Sequence, residues 1–191
     1  MKEAKKLSKK NNKPILIADI WDNPGGGVPG DSTTLIKKAI SMNLKNIALG
    51  SIWDPFAVKL CHKAGENKEI NLNFGSKIMK QSGGPIHKKV FVKKIKKNVY
   101  QKFGSSLVPM GDSACITFDG IEVVLNSNRC QTFSTDLFSK LGINISKKNI
   151  IIVKSTNHFY KSFKPYVSEI IYASIDGIYP VSYTHLTLPT I

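Results

Sequence analysis

The amino-acid sequence predicts an α/β fold: a mostly parallel sheet flanked by helices, with an antiparallel β segment inserted at about residues 69–130. Three observations carry that reading. Residues 14–18, 46–52 and 149–153 are dominated by apolar side chains without regular polar alternation, as strands covered on both faces require. The first two runs lead into apolar residues at helical spacing, so strand and helix alternate. Between residues 69 and 125 the texture becomes apolar–polar alternation broken by turn residues, the mark of strands with one wet face.

The chain has 191 residues, enough for one domain with a sizeable core. Residues 1–13 read as a linker or a frayed helix, 14–176 as the domain, and 177–191 as a tail foreign to it. In that tail the periodicity stops and the texture changes abruptly near Val181. Within the domain the first strand, 14–18, leads into a glycine-rich stretch. A helix starts near Thr33, with Leu35, Ile36, Ala39 and Ile40 on its apolar side. The second strand, 46–52, precedes a helix capped by Asp54 and opened by Pro55, because proline suits a first turn that has no amide to satisfy. Ala57, Val58, Leu60, Cys61 and Ala64 give this helix its apolar side, and Gly65 ends it. Residues 75–77 and 82–85 are turns, and Asp119 with Gly120 joins a hairpin of 114–118 and 121–125. A short helix over 135–141 ends at Gly142. A buried strand follows at 149–154, then a turn at 155–158 into a helix carrying Phe159, Phe163 and Val167, and a last strand at 170–173.

Composition narrows the partners. Hydrophobic content of 41% supports a folded core. Lys and Arg number 28 against 13 Asp and Glu, a formal charge of +15. Arg129 is the only arginine, and lysine lacks the planar fork that favours phosphate and guanine recognition. The lysines fall in short scattered runs, at 5–6, 9–10, 88–89 and 93–97, which reads as solvated surface. Nucleic acid is therefore an unfavoured partner. Three cysteines, Cys61, Cys115 and Cys130, without paired spacing argue against a disulfide framework and for a reducing compartment, the cytoplasm. No apolar run is long enough to span a membrane, and no apolar leader precedes Pro14.

The chemistry gathers at two places, both at the carboxyl end of a predicted parallel strand. The first contains Asp19, Trp21, Asp22, Asn23, Pro24, Gly25, Gly26, Gly27, Pro29, Gly30, Asp31, Ser32 and Thr33. Consecutive glycines allow close backbone approach, and the helix start behind them favours an anion. The spacing is neither a P-loop nor a dinucleotide fingerprint: Asp31 stands where a P-loop has lysine. Carboxylates beside an amide and hydroxyls suit a hydroxyl-, amine- or cation-bearing ligand better than a nucleotide. The second place is Lys154, Ser155, Thr156, Asn157, His158 and Phe159. Open α/β sheets bind ligands at those strand ends, so adjacency of the two strands places both motifs in one crevice. A plainer alternative makes the loop a capped turn, Lys154 a surface residue and His158 a packing residue.

On these residues the chain resembles the C-terminal domain of the microcystinase C (MlrC-like) metallopeptidases. The long glycine motif at residues 19–33 carries most of the likeness. Asp54, Pro55, Ala57, Val58 and Cys61, then Ala64 and Gly65, are similar to the family's second helix. Gly75, Ser76 and Lys77 resemble its glycine-glycine-lysine turn, with Ser76 departing. Val153, Lys154 and Ser155, then His158 and Phe159, resemble its late motif, with Tyr160 where arginine is common. The resemblance implies zinc-dependent hydrolysis of peptide or amide bonds, with the metal ligands mainly in a larger N-terminal domain that this chain lacks. The residues agree: His62, His87, His158 and His185 show no ligand spacing, and adjacent Cys61 and His62 diverge on a helix.

The expectation is thus a C-terminal fragment that completes a substrate cleft and binds no zinc alone. Its partners would be the missing metal-binding domain and a peptide or small amide substrate. Asp22, Lys154 and His158 are the catalytic candidates. Asn23, Gly25, Gly26, Gly27, Asp31, Ser32, Thr33 and Ser155 are the substrate-binding candidates, with the amides of Gly25–Gly27 free to hold a carbonyl oxygen or carboxylate. The alternative is a small-molecule module that takes a phosphate or carboxylate on the glycine-rich loop.

Overall fold

The computed structural model describes residues 1–173, so the tail read at 177–191 and the domain boundary at 176 lie outside the described residues. The elements are α1 (Lys2–Ser8), β1 (Ile15–Asp19), α2 (Thr34–Ser41), β2 (Ile47–Trp53), α3 (Pro55–Ala64), β3 (Lys68–Phe74), β4 (Ile86–Phe103), β5 (Ser106–Phe118), β6 (Ile121–Asn126), α4 (Asp136–Ser139), β7 (Ile150–Lys154), α5 (Tyr160–Phe163) and β8 (Glu169–Ala173). All the strands form one eight-stranded sheet in the order β3-β4-β5-β6-β2-β7-β1-β8. The run β6-β2-β7-β1-β8 is parallel. β3, β4, β5 and β6 pair antiparallel. The mostly parallel α/β architecture read from the sequence is the observed one. The antiparallel segment extends the same sheet, because β6 lies parallel beside β2.

Alternate residues of the central strands face opposite layers, as the period of two dictates. Ile15 and Ile17 of β1, with Ile150 and Ile152 of β7, pack under α1, α2 and α3 through Ala4, Leu35, Ile36, Ala39, Ala57, Val58 and Cys61. Leu16, Ala18, Ile151 and Val153 face the other layer, where Leu137, Phe138, Phe159 and Phe163 of the α4 and α5 regions cover them. Two apolar faces explain why these strands read as unbroken hydrophobic runs. Residues 1–13, read as a linker or frayed helix, contain α1, whose Ala4 is fully buried.

Local chemistry sets several boundaries. The Asp54 carboxylate accepts from the Ala57 amide at 2.9 Å and caps α3, with Pro55 in the first turn. Asp119 and Gly120 both take positive φ and turn β5 into β6. Residues 101–113 carry no clean strand pattern, yet they belong to β4 and β5 apart from the turn between them. β4 and β5 form a long hairpin turning at Gly104 and Ser105, with Phe103 opposite Ser106. Pro109 and Gly111 hide the strand in the sequence because both discourage a regular ladder, and β-bulges here absorb them. The last β5–β6 pair is Ser113 with Asn126, so the hairpin projects past the carboxyl ends of the parallel strands.

Candidate functional site

Parallel strands β1 and β7 are neighbours, with Asp19 opposite Lys154, so the two sequence motifs start side by side. The Lys154 ammonium is 2% exposed and lies 2.5 Å from Asp22 Oδ2 and 3.3 Å from Asp19 Oδ2. It also donates to the Ser32 carbonyl at 3.1 Å. Burial alone would lower its pKa, but the Asp22 and Asp19 carboxylates outweigh burial and hold it above the usual lysine range. Asp22 is saturated: Oδ1 accepts from the Gly30 amide at 2.9 Å and Oδ2 from the Ser32 amide at 2.7 Å. Asp22 and Lys154 therefore pin both ends of the glycine-rich loop to the strand ends. Held in this way, the ammonium fixes the two carboxylates and the loop around it.

A second clamp lies over β2. Asp54 Oδ2 accepts from the Gly75 amide, and its carboxylate pairs with Lys77 at 2.8 Å. Asp31 Oδ2 accepts from the amides of Lys77 and Ile78 at 2.8 and 3.1 Å, while Asp31 Oδ1 is buried without a hydrogen-bond partner among the described residues. Ser76 holds a left-handed backbone, φ 48°, at the position where the resembled turn has glycine. Its hydroxyl accepts from the Gly84 amide at 2.8 Å. Thr33 donates through its hydroxyl to the Gly84 carbonyl at 2.6 Å and through its amide to the Ser82 carbonyl. Thr33, Ser32, Asp31 and Ser155 are all buried and hold the loops to one another.

The exposed part of the site is different. Gly25, Gly26 and Gly27 face solvent. Their amides are not free for a ligand, contrary to the expectation: Gly25 donates to Asn23 Oδ1, Gly26 to the Asn23 carbonyl and Gly27 to the Pro24 carbonyl. A 3-10 turn capped by Asn23 consumes the donors that an anion cradle would need. The glycines instead leave a low ledge. A Cβ on Gly25 would sit 2.4 Å from the Gln131 amide nitrogen, so glycine lets Gln131 lie against the loop.

Gln131 joins the two motifs, and no pattern in the sequence marks it. Its Oε1 accepts from Ser155 Oγ and from His158 Nδ1, both at 3.2 Å. Asn23 Nδ2 donates to Thr156 Oγ1 at 2.9 Å, a second bridge between loop and turn. With Nδ1–H donating to Gln131, the exposed His158 directs a nitrogen lone pair through Nε2, for which the described residues provide no partner. Gln131 sits in a segment held from below by buried Gln101 of β4. Gln101 Nε2 donates to the Gln131 carbonyl at 2.8 Å, and its Oε1 accepts from the Phe133 and Ser134 amides. Arg129, in the same segment, reaches the Gly27 carbonyl at 3.5 Å.

A metal cage is absent among the described residues: no group of three His, Cys, Asp or Glu side chains converges. The carboxylates of Asp19, Asp22 and Asp54 are taken up by ammonium and amide donors. The His62 ring meets the Ser113 carbonyl. Among the described residues no helix is long and apolar enough to cross a membrane.

The family described as MlrC C-terminus matches residues 17–189, running past the boundary read at 176. Microcystinase C of Sphingomonas sp is 31% identical over 161 residues, 84% of this chain and 32% of that protein. A crystal structure of a proposed metallopeptidase from Mesorhizobium sp. BNC1 shares the fold with a TM-score of 0.79 at 20% identity, covering 89% of this chain and 35% of the other. The chain spans about a third of the length of these relatives.

Proposed function

The chain belongs to the MlrC C-terminus family, and from that membership we propose that it is the C-terminal part of a zinc-dependent peptide or amide hydrolase. In this reading it forms one wall of the substrate cleft. The observation that carries the reading is the junction at Gln131, where the glycine ledge and the His158 turn are tied together at the carboxyl end of the parallel sheet. His158 is the group placed to touch substrate, through Nε2. Gln131 and Ser155 orient it, as second partners orient a working imidazole. Asn23 and the ledge of Gly25, Gly26 and Gly27 lie against the substrate backbone, which the missing side chains allow to come close. Asp22 and Lys154 hold that ledge in position.

Zinc is the metal we assign to the whole enzyme, with its ligands in the part of the relatives that this chain does not cover. The described residues alone do not fit it, because no three ligand side chains converge among them. Such a site would need about three protein ligands and an open position. We place the protein in the cytoplasm, where its three buried free cysteines stay reduced.

The test is complementation. Purified alone, the chain is expected to hold far less than one zinc per molecule and to leave peptides intact. Mixed with the remaining portion of Microcystinase C, it should give peptide hydrolysis that a chelator abolishes. His158→Ala should then lower kcat by about a hundredfold or more, the usual span for a positioned acid or base. Stoichiometric zinc with hydrolysis by the isolated chain would overturn the proposal, as would an inert mixture of two folded partners.

A further inference from the structure

Helix α3 turns one face to solvent. Phe56, Lys59 and Lys63 recur at spacings of three and four, so they share that face, and all three are exposed. Phe56 is 63% exposed in the first turn of the helix. The loop after β3 comes up beside it. Lys77 lies over the Phe56 ring at 5.3 Å, and the next residue, Ile78, is 61% exposed. Phe56 and Ile78 are the two most exposed large apolar side chains among the described residues.

The two segments are fixed to each other. Asp54 caps α3 through the Ala57 amide, accepts from the Gly75 amide and pairs with Lys77 at 2.8 Å. Asp31 holds the amides of Lys77 and Ile78. Asp31 belongs to the same loop as the glycine ledge, and the Gly30 carbonyl accepts from the Trp53 amide at the end of β2. Patch and ledge therefore share the carboxyl end of the parallel strands. Lys59 and Lys63 have no ion-pair partner among the described residues, so the patch has a positive border. Side chains this exposed add little to the fold itself, and an apolar patch at a functional end marks a contact surface.

We propose that this patch seats the part of the enzyme that this chain does not cover, which meets it with an apolar surface bordered by carboxylates. The chain spans about a third of its relatives' length, and the ledge is one wall of a cleft, so the larger part comes down on the same end of the sheet. Phe56 and Ile78 are buried in that contact, and Lys59 and Lys63 meet the carboxylates at its rim. The inference rests on the hydrolase reading above and names the surface through which the two parts join. Buried apolar anchors supply the affinity. Rim charges act on the association rate and respond to salt.

The experiment mixes the intact chain with the remaining portion of Microcystinase C, both folded by circular dichroism, and follows binding by calorimetry and stopped flow and hydrolysis by peptide cleavage. Binding should saturate. Phe56→Ala with Ile78→Ala should raise the Kd about tenfold or more. Both side chains are exposed, so this double variant should melt within about 3 °C of the native chain. Lys59→Glu with Lys63→Glu should slow association about tenfold at low salt and far less at about 0.5 M salt. That pair keeps the test valid if the apolar variant fails to fold. Tyr166 is exposed and lies at the opposite end of the sheet, where the Ser168 amide reaches the Pro14 carbonyl just before β1, so Tyr166→Ala should bind as the native chain does. Unchanged binding by the patch variants, an equal loss in Tyr166→Ala, or no saturation between two folded partners would overturn the patch. So would a dimer of the chain alone that Phe56→Ala abolishes, because a second copy would then be the occupant. Patch-dependent binding without hydrolysis removes the hydrolase reading alone, whereas hydrolysis with binding indifferent to the patch removes the patch alone.

Discussion

Lys154 sits between two carboxylates in the interior, where an unpaired charge is costly. Replacing it with methionine leaves Asp19 and Asp22 facing each other without a cation. Lys154→Met should lose about 3–5 kcal/mol in denaturant unfolding, the usual result of breaking a buried pair from one side. The pH dependence has a definite sign. The folded pKa is raised, so the stabilisation is complete below the ordinary lysine value and is lost as pH climbs through the folded one. The native protein should therefore show an alkaline loss of stability, above about pH 10.4, that is smaller in Lys154→Met. Glu122 gives the opposite case. Burial raises its pKa, but Lys148 and Lys93 outweigh burial and hold it below the ordinary glutamate value. Its contribution exists above that value and is lost as pH falls. Glu122→Gln should therefore flatten the acid limb of the stability profile, measured by thermal melting from neutral pH downward. Both residues were visible in the sequence as charges. Their partners were not, because Asp22 and Lys154 are brought together from positions 132 residues apart.

At the scale of the element, the glycine loop and the segment around Gln131 share one geometry. Gly25→Ala would drive a methyl into the Gln131 amide, displacing the group that orients His158. A double-mutant cycle of Gly25→Ala with Gln131→Ala should show coupling of about 0.5–3 kcal/mol, because the second change removes the clash created by the first. Strictly additive effects would contradict the arrangement. Gln101 is the strand's contribution to the same loop. Gln101→Leu removes the hydrogen bonds to the Gln131, Phe133 and Ser134 backbone at a fully buried position, so hydrogen exchange at the Phe133 and Ser134 amides should accelerate well before global unfolding. The glycine motif was legible as a loop because three glycines between a strand and a helix permit little else. Gln101 and Gln131 were illegible, since a glutamine in alternating sequence carries no sign of whether it faces water or a backbone loop.

Across the whole molecule, two helical layers close over a single sheet and bury every cysteine. Burial pushes the thiols up, Cys61 and Cys115 to about 12 and Cys130 to about 11. A thiol held that high carries almost no thiolate at neutral pH, so alkylation should be negligible in the native state. Labelling at pH 8 should follow the unfolding rate at all three positions. Fast labelling of Cys130, the most accessible at 9% exposure, would show that the 130–134 segment opens independently.

The sequence by itself determined the strands and helices of the parallel half, the turns at Asp119–Gly120 and Gly65, and the loop at residues 19–33. Each is a local consequence of apolar period, capping and backbone freedom. Tertiary structure decided what lies next to what. It placed β1 beside β7, carried the β4–β5 hairpin over the strand ends, and set Gln131 between the ledge and His158. Those outcomes depend on pairings between residues far apart in the chain, and no local pattern encodes the partner of a buried polar group.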